Sequence, residues 1–169
     1  MATLPRIVTY EEWLEMPEAG EGREEVVNGE VQVLPPPKLP HAQIIRGLLL
    51  SLLRQVDEEQ VEVLPAEFGL IIRRDPLTSR SPDLAVFWKA GMVVKDGYCH
   101  SAPDLVIEVI SSSETRSRKL AKLTDYAAIG VPEAWLLDPR HRTVEVYKLR
   151  GDRLESIQLT YRREATSSR

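Results

Sequence analysis

A single cysteine, Cys99, stands among 169 residues, so no disulfide can form within the chain and a cysteine-based zinc site has no ligand set. No apolar run approaches the roughly 20 residues that a membrane-spanning helix needs. The opening MATLPRIVTYEEW lacks the basic and apolar blocks of a secretory signal, which leaves the cytoplasm as the expected location. Neither a phosphate-cradling glycine-rich loop nor a dinucleotide fingerprint occurs, so no nucleotide cofactor is implied. Excess positive charge is missing too: 22 Lys and Arg against 26 Asp and Glu leave a net charge of −4, which counts against a general polyanion binder.

What is present suits one compact domain held by packing alone, since 43% of the residues are hydrophobic and the length is near the modal domain size. The domain is expected to span 1–162, with 163–169 a disordered polar tail. Thr9 and Glu12 form a capping-box pattern opening a short helix that Pro17 stops. Asn28-Gly29 between two β-prone runs predicts a hairpin over Arg23 to Leu34. Ile44, Ile45, Leu48, Leu49, Leu52, Leu53 and Val56 recur at helical spacing, predicting a helix from His41 to Glu58 behind the stiff Pro35-Pro36-Pro37 approach. Three strand-like runs follow, Val61 to Arg73, Asp83 to Trp88 and Leu105 to Ile110. A second long helix is expected from Ser113 or Thr115 to Gly130, packing Leu120, Leu123 and Ala127 inward. A strand over Ala134 to Leu137 and a C-terminal hairpin around Gly151-Asp152 complete an α/β architecture with a mixed β-sheet flanked by helices.

Glu108 is the most informative residue, because it interrupts the apolar run Leu105-Val106-Ile107-Glu108-Val109-Ile110. Such a run reads as a strand covered on both faces, where an unpaired carboxylate is costly. A buried salt bridge and a metal ligand both answer that cost. Asp104, four residues away, lies about 13 Å along the strand and suits a strand-capping role instead. Asp83 is the better partner: on a neighbouring strand it stands about 4.8 Å across the sheet, close enough for both carboxylates to grip one hard cation. With the two acids facing each other, Glu108→Gln is expected to hold or raise metal-free stability by about 1 kcal/mol. A salt bridge predicts a loss of about 3 to 5 kcal/mol.

Two basic clusters, Arg116 with Arg118, Lys119 and Lys122, and Arg140-His141-Arg142, read as solvated faces or as phosphate-facing surface. Lys122 from spacing alone is an ordinary exposed lysine, with Arg118 and Tyr126 at four-residue spacing on its face. Glu25 and Glu30 flank the Asn28-Gly29 turn, where carboxylates usually serve solubility. His41 caps or lines a helix start, or supports a site residue from behind. Cys99-His100 are sequence neighbours in a loop, a poor arrangement for a thiol and its base.

The order Pro82-Asp83, then Glu108-Val109-Ile110, resembles the PD-(D/E)XK nuclease superfamily, although the lysine usual two residues after the acid is replaced by Ile110. The whole chain resembles the Uma family of endonucleases more closely. The matching stretches are 23–30, the Pro-rich approach to His41, Ser81-Pro82-Asp83-Leu84, Ala102 to Ser111, Lys122 through Tyr126 to Gly130, Val131 to Pro139 and Thr143 to Leu149. The resemblance implies a restriction-endonuclease-like fold with Asp83 and Glu108 as metal ligands, Lys122 as a displaced catalytic lysine and Glu25 as a further acidic catalytic residue. Arg118 stands where relatives often carry an Asp. The implied activity is Mg²⁺-dependent hydrolysis of DNA phosphodiester bonds, with Mn²⁺ as a substitute ion and a homodimer where both strands are cut. The alternatives are a catalytically inactive nuclease-fold module that binds nucleic acid or protein, and a metal-dependent hydrolase acting on another phosphate or small substrate.

Overall fold

A computed structural model describes residues 7–17, 23–65, 68–111, 114–151 and 153–160; the expected disordered tail at 163–169 lies outside them. Helix α1 (Tyr10–Glu15) begins at Thr9, whose side chain accepts from Glu12 N while the Glu12 carboxylate accepts from Thr9 N, the reciprocal cap read from the sequence. Strands β1 (Arg23–Val27) and β2 (Glu30–Leu34) close at Asn28 and Gly29, both with positive φ of 52° and 82°, as a two-residue hairpin turn requires. Helix α2 (Leu39–Leu53) tolerates Pro40 in its first turn, where no intrahelical N–H is lost. Its apolar period runs past its end: the backbone leaves the helix at Arg54, yet Val56 still packs into the cluster beneath.

The run expected as one strand from Val61 to Arg73 is two, β3 (Val61–Pro65) and β4 (Leu70–Arg74), which belong to different sheets. Pro65 has no N–H to extend a ladder. Gly69 lies against Tyr98 so closely that an added Cβ would stand 2.5 Å from the ring, where β4 meets the strand carrying Tyr98. Then come β5 (Leu77–Arg80), β6 (Leu84–Trp88), the short β7 (Val94–Lys95) and β8 (Tyr98–Cys99), β9 (Leu105–Val109), α3 (Arg116–Ala128), β10 (Glu133–Asp138), β11 (Thr143–Arg150) and β12 (Arg153–Thr160). Strands β5, β7 and β8 have no signal strong enough to announce them in the sequence.

The mixed α/β architecture is as expected, with the strands shared between two sheets ordered β2-β1-β5-β4-β8-β7 and β12-β11-β10-β9-β6-β3. In the second sheet β9 and β10 run parallel, joined by α3, and every other pair is antiparallel. Alternation splits that sheet's residues between two helices. Ile107, Leu84, Val61 and Val63 meet Ile45, Leu48, Leu49 and Leu52 of α2. Val106, Ala85, Ala134 and Leu136 meet Leu123, Tyr126 and Ala127 of α3. Glu108, one residue from Ile107, faces the α3 side. Each fully buried Val, Leu or Ile among them contributes about 1.5 to 3 kcal/mol, and this packing sets the register of α3 over the sheet.

Candidate active site

Antiparallel pairing of Leu84 with Ile107 places Asp83, just before β6, beside the C-terminal end of β9. Its Oδ2 accepts from Val109 N at 2.9 Å, so the acid is bolted to the strand that carries Glu108. Both carboxylates are completely buried. Asp104 is elsewhere: its Oδ2 accepts from Trp88 N at 2.8 Å, tying β6 to the start of β9 as a strand cap.

One turn of α3 supplies the cations. Lys119 Nζ lies 2.8 Å from Asp83 Oδ2, 2.6 Å from Glu108 Oε2 and 2.7 Å from Glu114 Oε2. Lys122 Nζ donates to Glu108 Oε1 at 3.1 Å, Glu25 Oε1 at 2.8 Å and the Ser81 carbonyl at 3.0 Å. Each ammonium thus has three acceptors for its three N–H groups. Tyr126 completes Glu108 by donating its hydroxyl to Oε1 at 2.6 Å. Glu25, carried by β1 of the N-terminal hairpin, also accepts from Arg80 at 2.9 Å and Ser81 N at 3.0 Å, and Arg80 in turn pairs with Asp125. Arg23 reaches Asp83 Oδ1 at 3.2 Å, and His41 Nε2 lies 3.3 Å from Oδ2.

Burial alone would raise every acid here and lower every lysine. Against that, the His41 hydrogen bond and the charges of Lys119 and Lys122 hold Asp83 well below the usual carboxylate range. Burial prevails at Glu108 and pushes it upward. Desolvation works against both ammoniums, but Glu108 with Asp83 outweighs it at Lys119, and Glu108 with Glu25 at Lys122, so both stay protonated. Glu25 is buried as well, yet Lys122, Ser81 N–H and Arg80 pull it down. Burial and the adjoining Glu108 push the Tyr126 phenol well up, so it remains a donor.

Asp83, Glu108, Lys122 and Glu25, named from the sequence, therefore form one connected cluster. Glu30 is exposed on β2, and Ile110, the usual lysine position, only continues the strand edge, its N–H bonded to Leu137 O at 2.8 Å. The first basic cluster divides: Arg116 and Arg118 face outward, whereas Lys119 and Lys122 are 0% and 2% exposed, so neither is the solvated or phosphate-facing lysine that spacing suggested. Arg118 does not share the inward face of Lys122. That face is Lys119, Lys122, Leu123, Tyr126 and Ala127, a helical core stripe with lysines at two apolar positions, and this pattern was the signal for Lys119. Arg140, His141 and Arg142 are exposed at the β10 to β11 turn. Cys99 Sγ contacts Ser101 and His100 contacts Tyr10, so the two are not coupled.

A narrow recess rimmed by Arg23, Leu34, Pro37, His41, Ser111 and Glu114 leads to this cluster. Arg23 Nε and His41 Nδ1, both buried, have no hydrogen-bond partner among the described residues. Among those residues no three His, Cys, Asp or Glu side chains form a ready-made metal group. The oxygens of Asp83, Glu108 and Glu114 converge instead on an ammonium.

Residues 10–168 match the family described as "Uma2: Putative restriction endonuclease". A crystal structure described as "a putative nuclease belonging to DUF820" from Anabaena variabilis superposes with a TM-score of 0.74 at 22% identity, covering 91% of this chain and 85% of that one. No curated protein matches the chain. The two structures share an overall fold, and the chain is a member of the Uma2 family.

Proposed function

We propose that this protein is a Mg²⁺-dependent endonuclease acting on DNA. The observation that carries the reading is the convergence of two fully buried carboxylates, Asp83 and Glu108, from adjacent strand ends onto one cationic group. Lys119 Nζ stands there as a positive charge held by oxygens alone, and an all-oxygen donor set is the chemistry of a hard divalent ion. The residues fit: Asp83 and Glu108 would hold Mg²⁺ or Mn²⁺, with Glu114 at the rim. Bound there, the ion would supply an activated water and polarise a phosphate oxygen.

The chain's own groups have separable tasks. Lys122, fixed by Glu25 and Ser81 O, presents positive charge to Glu108 and keeps that carboxylate aimed. Tyr126, one helical turn further along the same face, holds the same oxygen. Arg23 and His41 line the approach, where a polyanion would meet guanidinium and imidazole before reaching the acids. Two-strand cleavage would call for a homodimer.

Cleavage of single-stranded, duplex and structured DNA, and of RNA, with and without Mg²⁺ or Mn²⁺ is the test. Metal-dependent nicking lost in Asp83→Asn supports the reading; no cleavage of any substrate by folded wild type overturns it. A second reading, a catalytically silent nuclease-fold binding module, is favoured by one observation: Lys119 and Lys122 have every N–H engaged by protein oxygens. Nucleic-acid binding without cleavage would select it.

A further inference from the structure

Resting on that reading and going beyond it, we propose that Lys119 is a resident cation that a divalent ion must displace, so that ion binding is gated by the swing of one side chain. Three oxygens, from Asp83, Glu108 and Glu114, lie 2.6 to 2.8 Å from Lys119 Nζ, and two of them belong to the acids that would hold the metal. An ammonium and a divalent ion cannot share that point. At about 4 Å apart, a doubly and a singly charged cation repel strongly even at an effective dielectric of about 20.

The neighbouring lysine is built differently. Lys122 spends one N–H on the Ser81 carbonyl and another on Glu25, groups that no metal at Asp83 and Glu108 would claim, so it can remain in place. Lys119 has no such anchor: all three partners are carboxylates, and Glu114 sits at the recess opening, 12% exposed. Glu114 therefore gives the displaced ammonium a partner on the way out. A site whose competent form is populated at about 10% or less binds its ligand with a Kd weakened about tenfold or more.

The test is Mn²⁺ titration, followed by calorimetry and by the Mn²⁺ electron paramagnetic resonance signal, of wild type, Lys119→Gln, Lys122→Gln and Asp83→Asn. Lys119→Gln should bind Mn²⁺ at least about tenfold more tightly than wild type, with a larger Mn²⁺-induced rise in Tm, while Lys122→Gln shows no tightening. Unchanged or weaker binding in Lys119→Gln, with wild type showing an Asp83-dependent site, overturns the gating proposal and leaves the metal reading standing. No Asp83-dependent Mn²⁺ binding in either protein overturns both. Should Lys119→Gln unfold without metal, recovery of a cooperative melt on adding Mn²⁺ supports the proposal, and failure to recover overturns it.

Discussion

Lys119 and Lys122, three residues apart on one face of α3, grip opposite oxygens of the same buried carboxylate, at Glu108 Oε2 and Oε1. Glu108 therefore does not face Asp83 across a gap of uncompensated repulsion. Two ammoniums and the Tyr126 hydroxyl stand around it.

That arrangement reverses the expectation that Glu108→Gln holds or raises stability. Relief of like-charge strain would have held or raised stability; with the cations in place, the substitution leaves two buried ammoniums short of an anion. The expected result is a loss of about 3 to 5 kcal/mol in urea unfolding without metal. An unchanged midpoint would show that repulsion from Asp83 dominates.

Much of this was legible before any coordinates. The capping box at Thr9, the Asn28-Gly29 turn and the 3.6-residue periods of α2 and α3 are local signals, and local structure obeyed them. Glu108 stood out because a carboxylate in an apolar run demands a partner. The identity of the partners was less accessible, since it depends on how α3 rotates over the sheet. Lys119 read as surface because charge usually means solvent. The division of Val61 to Arg73 between two sheets depends on distant pairings, such as Leu70 with Cys99, 29 positions apart, that no local pattern carries.

Arg118→Ala makes the contrast with its neighbour measurable. Arg118 is exposed, one residue from Lys119, and its side chain takes no part in the cluster. Its loss should change stability by no more than about 0.5 kcal/mol and leave Mn²⁺ affinity as in wild type. A drop in Mn²⁺ affinity beyond about threefold would place Arg118 in the site after all.

The turn that delivers Arg23 and Glu25 gives a backbone prediction. Gly29 has φ of 82°, and a Cβ there would stand 2.4 Å from Ile7 Cγ2 and 3.3 Å from Val8 N. Gly29→Ala should destabilise by about 1 to 2 kcal/mol, from left-handed backbone strain together with that crowding. Equal stability in thermal melts would mean that the hairpin tolerates another turn type.

Acid should loosen the start of α3 through Glu145. Arg116, in the first turn, makes a two-pronged pair with Glu145, and both bond to Tyr147. The Arg116 hydrogen bond holds the Glu145 pKa below its ordinary value, while burial and Glu145 push the Tyr147 phenol up to about 12. With a folded pKa below the unfolded one, the carboxylate's contribution is present above the unfolded value, about 4.3, and is lost as pH falls through the folded one. Glu145→Gln should therefore be less stable than wild type at pH 7, with the difference shrinking as pH falls below about 4.3. A difference that does not shrink with acid would assign the effect to packing.

Glu25 and Lys122 provide the last prediction, because they join the hairpin to α3 across 2.8 Å with both side chains 2% exposed. Lys122→Met strands Glu25 and Glu108 with fewer cations and should cost about 3 to 5 kcal/mol. Glu25→Gln strands Lys122 and Arg80, and should cost a similar amount. Removing both leaves Arg80 still paired with Asp125 and Glu108 still held by Lys119 and Tyr126. The double variant should therefore be more stable than the sum of the single losses, by a coupling of about 1 to 3 kcal/mol. Urea unfolding of the four proteins measures it. Additive losses would mean that the two residues act independently, and the bond between the hairpin and α3 would not be the strut that positions Glu108.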